Sequence, residues 1–376
     1  MKNKPNNPFL VWGYHSPKYF CDRELETQTI IAALQNGRNI SLISPRRIGK
    51  TGLIQHVFSR VKNQNPEIRC FYLDIFSTEN LYDFTLLLSK TILGNLDSFS
   101  QKIMRTITSF FTHIHPVFTY DSLTGMPKLS VEISSGKAED GLKEIFEYLK
   151  KSSYICYIAI DEFQQITNYP ENGIEGLLRS YIQFLPNVRF IFSGSKKHLM
   201  DAIFSSANRP FYQSTQKMGL KAIPRDTYYT FAKKIFIQNG LKLSNETFNY
   251  IYDHLLGHTW YIQVVLNHLY ELNKKESEIA DVDSIIEKIL QEETATYMTY
   301  CEMITKGQLR LLRAVAKENV VSSPFENSFM KRHQLSALSS VKLAINALID
   351  KSLLLKDEDN SYIVYDRFFS FWLAKR

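Results

Sequence analysis

Residues 44–51 read Ser-Pro-Arg-Arg-Ile-Gly-Lys-Thr, set between the apolar run Ile40-Ser-Leu-Ile43 and the helix-like stretch Gly52-Leu-Ile-Gln-His-Val-Phe58. A strand that enters a helix through a tight Gly-Lys-Thr turn is the setting of a phosphate-binding loop, whose backbone N–H groups cradle phosphate oxygens at the positive end of the helix. On that reading Ser44, Pro45, Arg46, Arg47, Ile48, Gly49, Lys50, Thr51 and Gly52 form a nucleotide cradle. Lys50 reaches the terminal phosphates and the Thr51 hydroxyl ligates Mg²⁺. The first position of Gly-x-x-x-x-Gly-Lys-[Ser/Thr] is Ser44 here, so the loop alone is a weak signal and needs support from elsewhere in the chain.

That support is the continuous apolar run Tyr154-Ile-Cys-Tyr-Ile-Ala-Ile160, followed at once by Asp161-Glu162. A strand apolar on both faces belongs inside a parallel sheet. Two carboxylates at its end fit Asp161 as a holder of Mg²⁺, directly or through water, and Glu162 as the group that orients or deprotonates an attacking water. A further strand, Val188-Arg-Phe-Ile-Phe192, leads into Ser193-Gly-Ser195. Ser193 and Ser195 are candidates to touch that water or the terminal phosphate, with plain turn chemistry as the other reading.

The alternation of strands and helices extends this into a three-layer α/β domain with a parallel sheet. A helix over Leu25 to Leu34 precedes the first strand, and the strand Ile68 to Ile75 is followed by a helical pattern from Leu81 to Leu93. Residues 95–140 break the rhythm with an aromatic-rich helix and the alternating segment Pro127-Lys-Leu-Ser-Val-Glu-Ile133, which reads as an insertion ending in a hairpin arm. The series resumes with a helix from Ala138 to Lys151, the Asp161 strand, a helix around Leu177 to Phe184 and the strand at Phe190. The expected nucleotide domain is residues 1–223.

From residue 224 to 302 only helical patterns remain: Asp226 to Asn239, Asn245 to Leu256, Trp260 to Lys274 and Asp281 to Cys301. They are expected to form a helical lid domain, punctuated at Gly257. Residues 303–376 give three helices (Lys306 to Lys317, Asn327 to His333, Ser339 to Lys351) and two short strands, Leu353 to Lys356 and Tyr362 to Tyr365. Three helices and a β-hairpin make a winged helix. If it gripped duplex DNA through its third helix, Ser339, Ser340, Lys342 and Asn346 would face the groove. Its wing turn, Asp357-Glu-Asp359, carries the wrong sign for phosphate.

Composition bounds the rest. With 376 residues, 44% of them hydrophobic, the chain exceeds one ordinary core and suggests two or three domains. It has no run of 18 apolar residues and its start, Met1-Lys-Asn-Lys-Pro-Asn-Asn-Pro, is polar, so neither a membrane partner nor export is expected. Cys21, Cys70, Cys156 and Cys301 lie too far apart for a zinc knuckle or a disulfide framework, which favours a reducing cytoplasm. The net charge of +7 permits polyanion binding, but Arg46, Arg47 and Lys50 of the loop account for part of it and no long basic run appears.

Taken together, Phe20-x-x-Arg-Glu-x-Glu26, Ser44-Pro-Arg-Arg-x-Gly-Lys-Thr51, Ile160-Asp-Glu162, Ser193-Gly-Ser195, Gly257-His-x-x-Tyr-Ile-Gln263 and the C-terminal winged helix resemble the archaeal-type ATPase family, P-loop NTPases of the STAND and AAA-related group. The resemblance covers essentially the whole chain. It implies ATP as the nucleotide, with Arg23, Phe20 and Asp22 on the adenine side. It also implies a helical region covering the nucleotide, a winged helix that moves with its state, and an arginine that neutralises charge on the transferred phosphoryl group. Arg209 is the first choice for that role and Arg179 the second, each alternatively a loop anchor or surface residue. Where the family often has Gly-x-Pro, this chain has Gly257-His258-Thr259, which weakens the expected coupling of the helical domain.

The main functional expectation is an ATP-dependent molecular switch: Mg·ATP held at Lys50, Thr51 and Asp161, slow hydrolysis assisted by Glu162, and an output to a protein or nucleic-acid partner. The alternative is an ATP-modulated DNA-binding regulator or loader that uses the winged helix. A nucleotide-binding scaffold without turnover is a third. Client and oligomeric state are not written in the sequence.

Overall fold

The computed structural model describes residues 4–95, 109–120, 127–357 and 359–376. The chain divides into two compact units, one formed by Trp12–Tyr228 with the residues before Asn7, the other by Asn7–Val11 with Tyr229–Arg376.

The first unit is built on β1 (Ile40–Ile43), β2 (Arg69–Asp74), β5 (Cys156–Asp161), β6 (Val188–Gly194) and β7 (Gln216–Met218), in the spatial order β2-β5-β6-β1-β7. All four pairings are parallel. Parallel strands need crossovers, supplied by α2 (Lys50–Gln64), α3 (Leu81–Leu93), α4 (Ala138–Lys151), α5 (Ile174–Ile182) and α6 (Lys197–Ser205), with α1 (Glu24–Gln35) preceding β1. The two-residue period of a strand divides β5 between two cores. Cys156, Ile158 and Ile160 face one, with Phe84, Leu142, Phe163 and Phe192. Tyr157 and Ala159 face the other, with Leu53, Val57 and Ile30. These are the three layers expected.

The alternating segment at Pro127 is β4 (Pro127–Ile133), paired antiparallel with β3 (Ile114–Tyr120) and in contact with α3. The helix expected after residue 95 falls mostly on residues 96–108, outside the described residues. Two elements go beyond the sequence pattern: α6 and the short strand β7, which completes the sheet beside β1. The strand before Ser193 is also longer than expected. β6 runs through Gly194, so Ser193 lies within the sheet, fully buried, and Ser195 is the first residue beyond it.

The second unit contains α7 from Tyr229 on (the helix spans Arg225–Gln238), α8 (Asn245–His254), α9 (Thr259–Glu271), α10 (Ile279–Glu292) and α11 (Thr294–Glu302), with a two-residue parallel ladder of β8 (Lys242–Leu243) and β9 (Glu276–Ser277). What reads as one helix from Asp281 to Cys301 is two, separated at Glu293, because helical periodicity alone carries no sign of a one-residue break. The segment Asn7–Val11 is stitched to this unit. Phe9 is buried against Phe236 and Tyr270, the Asn7 and Asn267 side chains donate to the Asn267 and Phe9 carbonyls, and the Trp260 indole donates to the Val11 carbonyl.

The winged helix follows as α12 (Lys306–Glu318), α13 (Asn327–Arg332), α14 (Leu338–Asp350) and the hairpin β10 (Leu354–Lys356) and β11 (Tyr362–Val364). A last helix, α15 (Arg367–Ala374), is an addition to the expected elements. It is apolar almost all round and packs on α10, α11 and α12, joining the helical and winged-helix parts of the unit in one core.

Candidate active site

The carboxyl ends of β1, β5 and β6 gather the candidate site residues, at the edge where open parallel sheets bind ligands. Gly49 stands before the first turn of α2 with φ +102°, a conformation glycine takes without strain. A Cβ at Gly52 would stand 3.3 Å from Phe20 Cε2, so glycine there lets the opening motif close over the loop. Ser44, where a glycine is usual, has a constructive role. Its hydroxyl donates to the Ile43 carbonyl at 2.6 Å and accepts from the Leu220 N–H at 2.6 Å, bolting the loop to the segment after β7.

Lys50 is 6% exposed and its ammonium donates to the Ser44 and Pro45 carbonyls at 2.7 and 2.8 Å. Burial pushes its pKa down to about 8, against the opposing pull of Asp161 and Glu162. A desolvated cation facing loop carbonyls can exchange them for phosphate oxygens at little geometric cost. Arg23, 3% exposed, donates to Glu26 at 2.8 Å and reaches the Ile48 carbonyl at 3.4 Å, tying the opening motif to the loop backbone. Phe20 stacks on His56 of α2 with centroids 4.4 Å apart.

Asp161, the last residue of β5 and 4% exposed, uses both carboxylate oxygens. Oδ2 accepts from the Thr51 hydroxyl at 2.9 Å and the Tyr72 hydroxyl at 2.7 Å, and Oδ1 accepts from the Glu162 N–H at 3.0 Å. Because Thr51 gives its proton to Asp161, its oxygen lone pairs remain for a cation. A hydroxyl beside a buried carboxylate is a hard-oxygen set that suits Mg²⁺, which takes few protein ligands and completes its shell with water and phosphate. The residues present therefore fit the ion.

Glu162 sits in the left-handed region at φ +53°, held there by its N–H bond to Asp161. Ser195 donates to its carboxylate at 3.1 and 2.8 Å, Gln164 Nε2 also donates to it, and Arg46 Nε stands 3.9 Å away. Glycine at 194 leaves room beside this cluster for the Gln164 and Met200 side chains, which a Cβ there would force to shift. The structure thus brings together Arg46, Lys50, Thr51, Asp161, Glu162 and Ser195. Ser193 is not among them: it shares the face of Ser195 but lies one repeat deeper, and its hydroxyl is buried without a partner among the described residues. Arg209 pairs with Glu175 of α5 at 2.5 Å, and no described contact links it to the loop before Lys50. Arg179 lies in the last turn of α5.

Three neighbours escape sequence reasoning. Tyr72 and Asp74 lie on one face of β2, where Asp74 is opposite Asp161 and Tyr72 opposite Ala159. Burial, with Asp161 and Glu162 adding, raises the Asp74 pKa, and burial beside Asp161 raises that of the Tyr72 phenol above its usual range. Gln164 is the third. The alternation within β2 puts Tyr72 and Asp74 on one face, but only the sheet order shows that the face meets Asp161.

In the winged helix, Ser339, Ser340, Lys342 and Asn346 of α14 are exposed, accompanied by Leu338 and by Leu343 at 72% exposure. The wing turn includes Asp357 and Asp359, and Glu358 lies outside the described residues. No helix among the described residues is long and apolar enough to cross a membrane.

The family described as an ATPase domain predominantly from Archaea matches residues 20–265, and a probable winged helix domain matches residues 295–375. Among solved structures, the Walker-type ATPase PABY2304 of Pyrococcus abyssi is similar over 97% of this chain and 99% of its own, with TM-score 0.66 and 17% identity. The ORC2 protein of Aeropyrum pernix, in its ADPNP–ADP complexes, is similar over 99% and 96%, with TM-score 0.63 and 15% identity. The ORC1 protein of Aeropyrum pernix in complex with DNA follows over 98% and 96%, with TM-score 0.55 and 11% identity. No curated protein matches the sequence.

Proposed function

Because the chain belongs to the family of ATPase domains found predominantly in Archaea and carries a winged-helix domain at its C-terminal end, we propose that it is an ATP-dependent molecular switch of the STAND and AAA-related kind. ATP hydrolysis follows from the family. Its use as a timer, read out through the helical and winged-helix regions to a protein or nucleic-acid partner, is the proposal. The observation that carries it is the chain of contacts Thr51–Asp161–Glu162–Ser195, in which the group suited to a metal and the candidate base are linked through one peptide N–H.

On this reading Lys50 releases the Ser44 and Pro45 carbonyls and takes terminal phosphate oxygens, while Arg46 faces the same charge from the loop. Thr51 and Asp161 would hold Mg²⁺, which when bound would neutralise charge on the phosphates. Glu162 orients a water and accepts its proton. Ser195 and Gln164 both donate to its carboxylate and engage lone pairs that would take the proton, which is consistent with slow hydrolysis. Arg209 is proposed as the arginine that meets the transferred phosphoryl group, and to do so it must leave Glu175. Ser193, enclosed in β6, is better suited to supporting Ser195 than to touching substrate. The Glu162→Gln variant should bind ATP as wild type does and lose turnover by about 10²–10⁴-fold. Wild-type turnover in that variant, measured as phosphate release, would sink the assignment.

A second reading, an ATP-modulated DNA regulator or loader, draws support from the winged-helix match and from the likeness to ORC1 of Aeropyrum pernix, whose structure is a complex with DNA. The exposed Leu338 and Leu343 on α14 and the acidic wing weigh against it. Duplex titration across salt separates the two. A steep salt dependence lost in Lys342→Ala and Asn346→Ala would favour the regulator, and absence of duplex binding with and without ATP would leave the switch.

A further inference from the structure

Asp161 Oδ2 accepts from two hydroxyls, and one of them comes from a strand that carries no nucleotide motif. Tyr72 Oη donates to it at 2.7 Å, a shorter contact than the 2.9 Å from Thr51 Oγ1. Tyr72 reaches Asp161 because β2 lies beside β5 with Tyr72 opposite Ala159 and Asp74 opposite Asp161, so its ring crosses diagonally to the next position on the same face.

We propose that Tyr72 is a positioning residue for the metal site, acting through Asp161. The inference rests on the nucleotide-site reading above. A carboxylate held by one donor on each oxygen can still swing about its side-chain bonds. A second donor on Oδ2, anchored to a neighbouring strand by a large ring, removes that freedom. It also keeps Oδ2 directed at Thr51, so that the Thr51 proton stays on the carboxylate side and its lone pairs stay turned to the cation. Tyr72 thereby sets how well the site holds Mg²⁺ without touching the ion or the phosphates. Partners of metal ligands typically change metal affinity by about 10–100-fold when removed.

The test is Tyr72→Phe, which keeps the ring and deletes the hydroxyl. Binding of a fluorescent ATP analogue is titrated in EDTA and again at increasing Mg²⁺, in the full chain, with thermal denaturation alongside. The expected result is a half-saturating Mg²⁺ concentration raised about tenfold, with metal-free nucleotide affinity within about twofold of wild type. In an Asp161→Ala background the same substitution should add nothing further. An unchanged Mg²⁺ requirement would overturn the proposal. So would equal loss of affinity in EDTA, or a large fall in melting temperature, since either assigns the hydroxyl to the fold and not to the metal. Failure of the underlying reading has a different signature: wild type and Lys50→Ala would then bind the analogue alike, whatever Tyr72→Phe does.

Discussion

Lys50 in the first compact unit and Arg367 in the second are both buried cations, and they are solvated in opposite ways. Lys50 is surrounded by oxygens, with the Ser44 and Pro45 carbonyls in contact and Asp161 and Glu162 near enough to pull against burial. Arg367 is 0% exposed, and one of its nitrogens donates to Asn319 Oδ1 and reaches the His254 carbonyl at 3.4 Å. Its Nε and other Nη have no partner among the described residues, and its guanidinium lies 5.4 Å from the Phe371 ring centre. Burial pushes it down to about 10. A cation among exchangeable oxygens is poised for a ligand. A cation wedged between the end of α8, the cap of α12 and an aromatic ring belongs to the scaffold, where it ties the helical and winged-helix parts together at the cost of two unsatisfied nitrogens.

The sharpest way to break this comparison is to remove each charge in turn. Lys50→Ala should weaken ATP binding about a hundredfold or more, since a buried charge-assisted contact is lost, with little effect on stability. Equal affinity, measured by titration, would end the distinction. Arg367→Met should leave ATP affinity within about twofold and leave the chain as stable as wild type, or up to about 1–4 kcal/mol more stable, because an apolar chain of similar volume removes the desolvation penalty. Arg367→Ala should instead cost about 2–5 kcal/mol through the cavity it leaves. If both variants lowered the denaturation midpoint alike, Arg367 would be worth more as a charge than its surroundings indicate.

pH gives a finer separation. Lys50 in the free protein titrates near 8. Below that it already carries the charge that phosphate needs. Above it, binding must first add a proton, so ATP affinity should fall by up to about tenfold per pH unit. The same depression works the other way on folding: between the folded value near 8 and the unfolded value near 10.5 the unfolded chain holds more protons, so the contribution of Lys50 to stability improves as pH rises. Affinity and stability should diverge above pH 8, and parallel profiles would contradict the assignment. Arg367, near 10, should leave both profiles unchanged over about pH 7–9.

Much of the first unit is legible in the sequence because its signals are local. Gly49-Lys50-Thr51 between a strand and a helix, and Asp161-Glu162 at the end of an apolar strand, each stand out as candidate site residues within a short stretch, and the structure joins them through Thr51 and Asp161. The C-terminal strands and three helices of the winged helix are legible for the same reason. α15 is not, because a short helix, apolar almost all round, has no polar face to reveal a period. Ser193 and Ser195 look alike in sequence because a strand end cannot be fixed to within two residues when small polar side chains continue into the sheet.

By itself the sequence determined the strand–turn–helix around Gly49, the pair of acidic residues at the end of β5, the parallel α/β character and the helical and winged-helix succession, since backbone conformation and burial period act over a few residues. Only the tertiary structure decided that β2 lies beside β5, that Tyr72 shares Asp161 with Thr51, that Ser195 rather than Ser193 holds Glu162, and that Arg209 pairs with Glu175. These depend on which strands become neighbours and how far each runs. Packing sets both, between segments well separated in the chain: 33 residues for Ser195 and Glu162, and 89 for Tyr72 and Asp161.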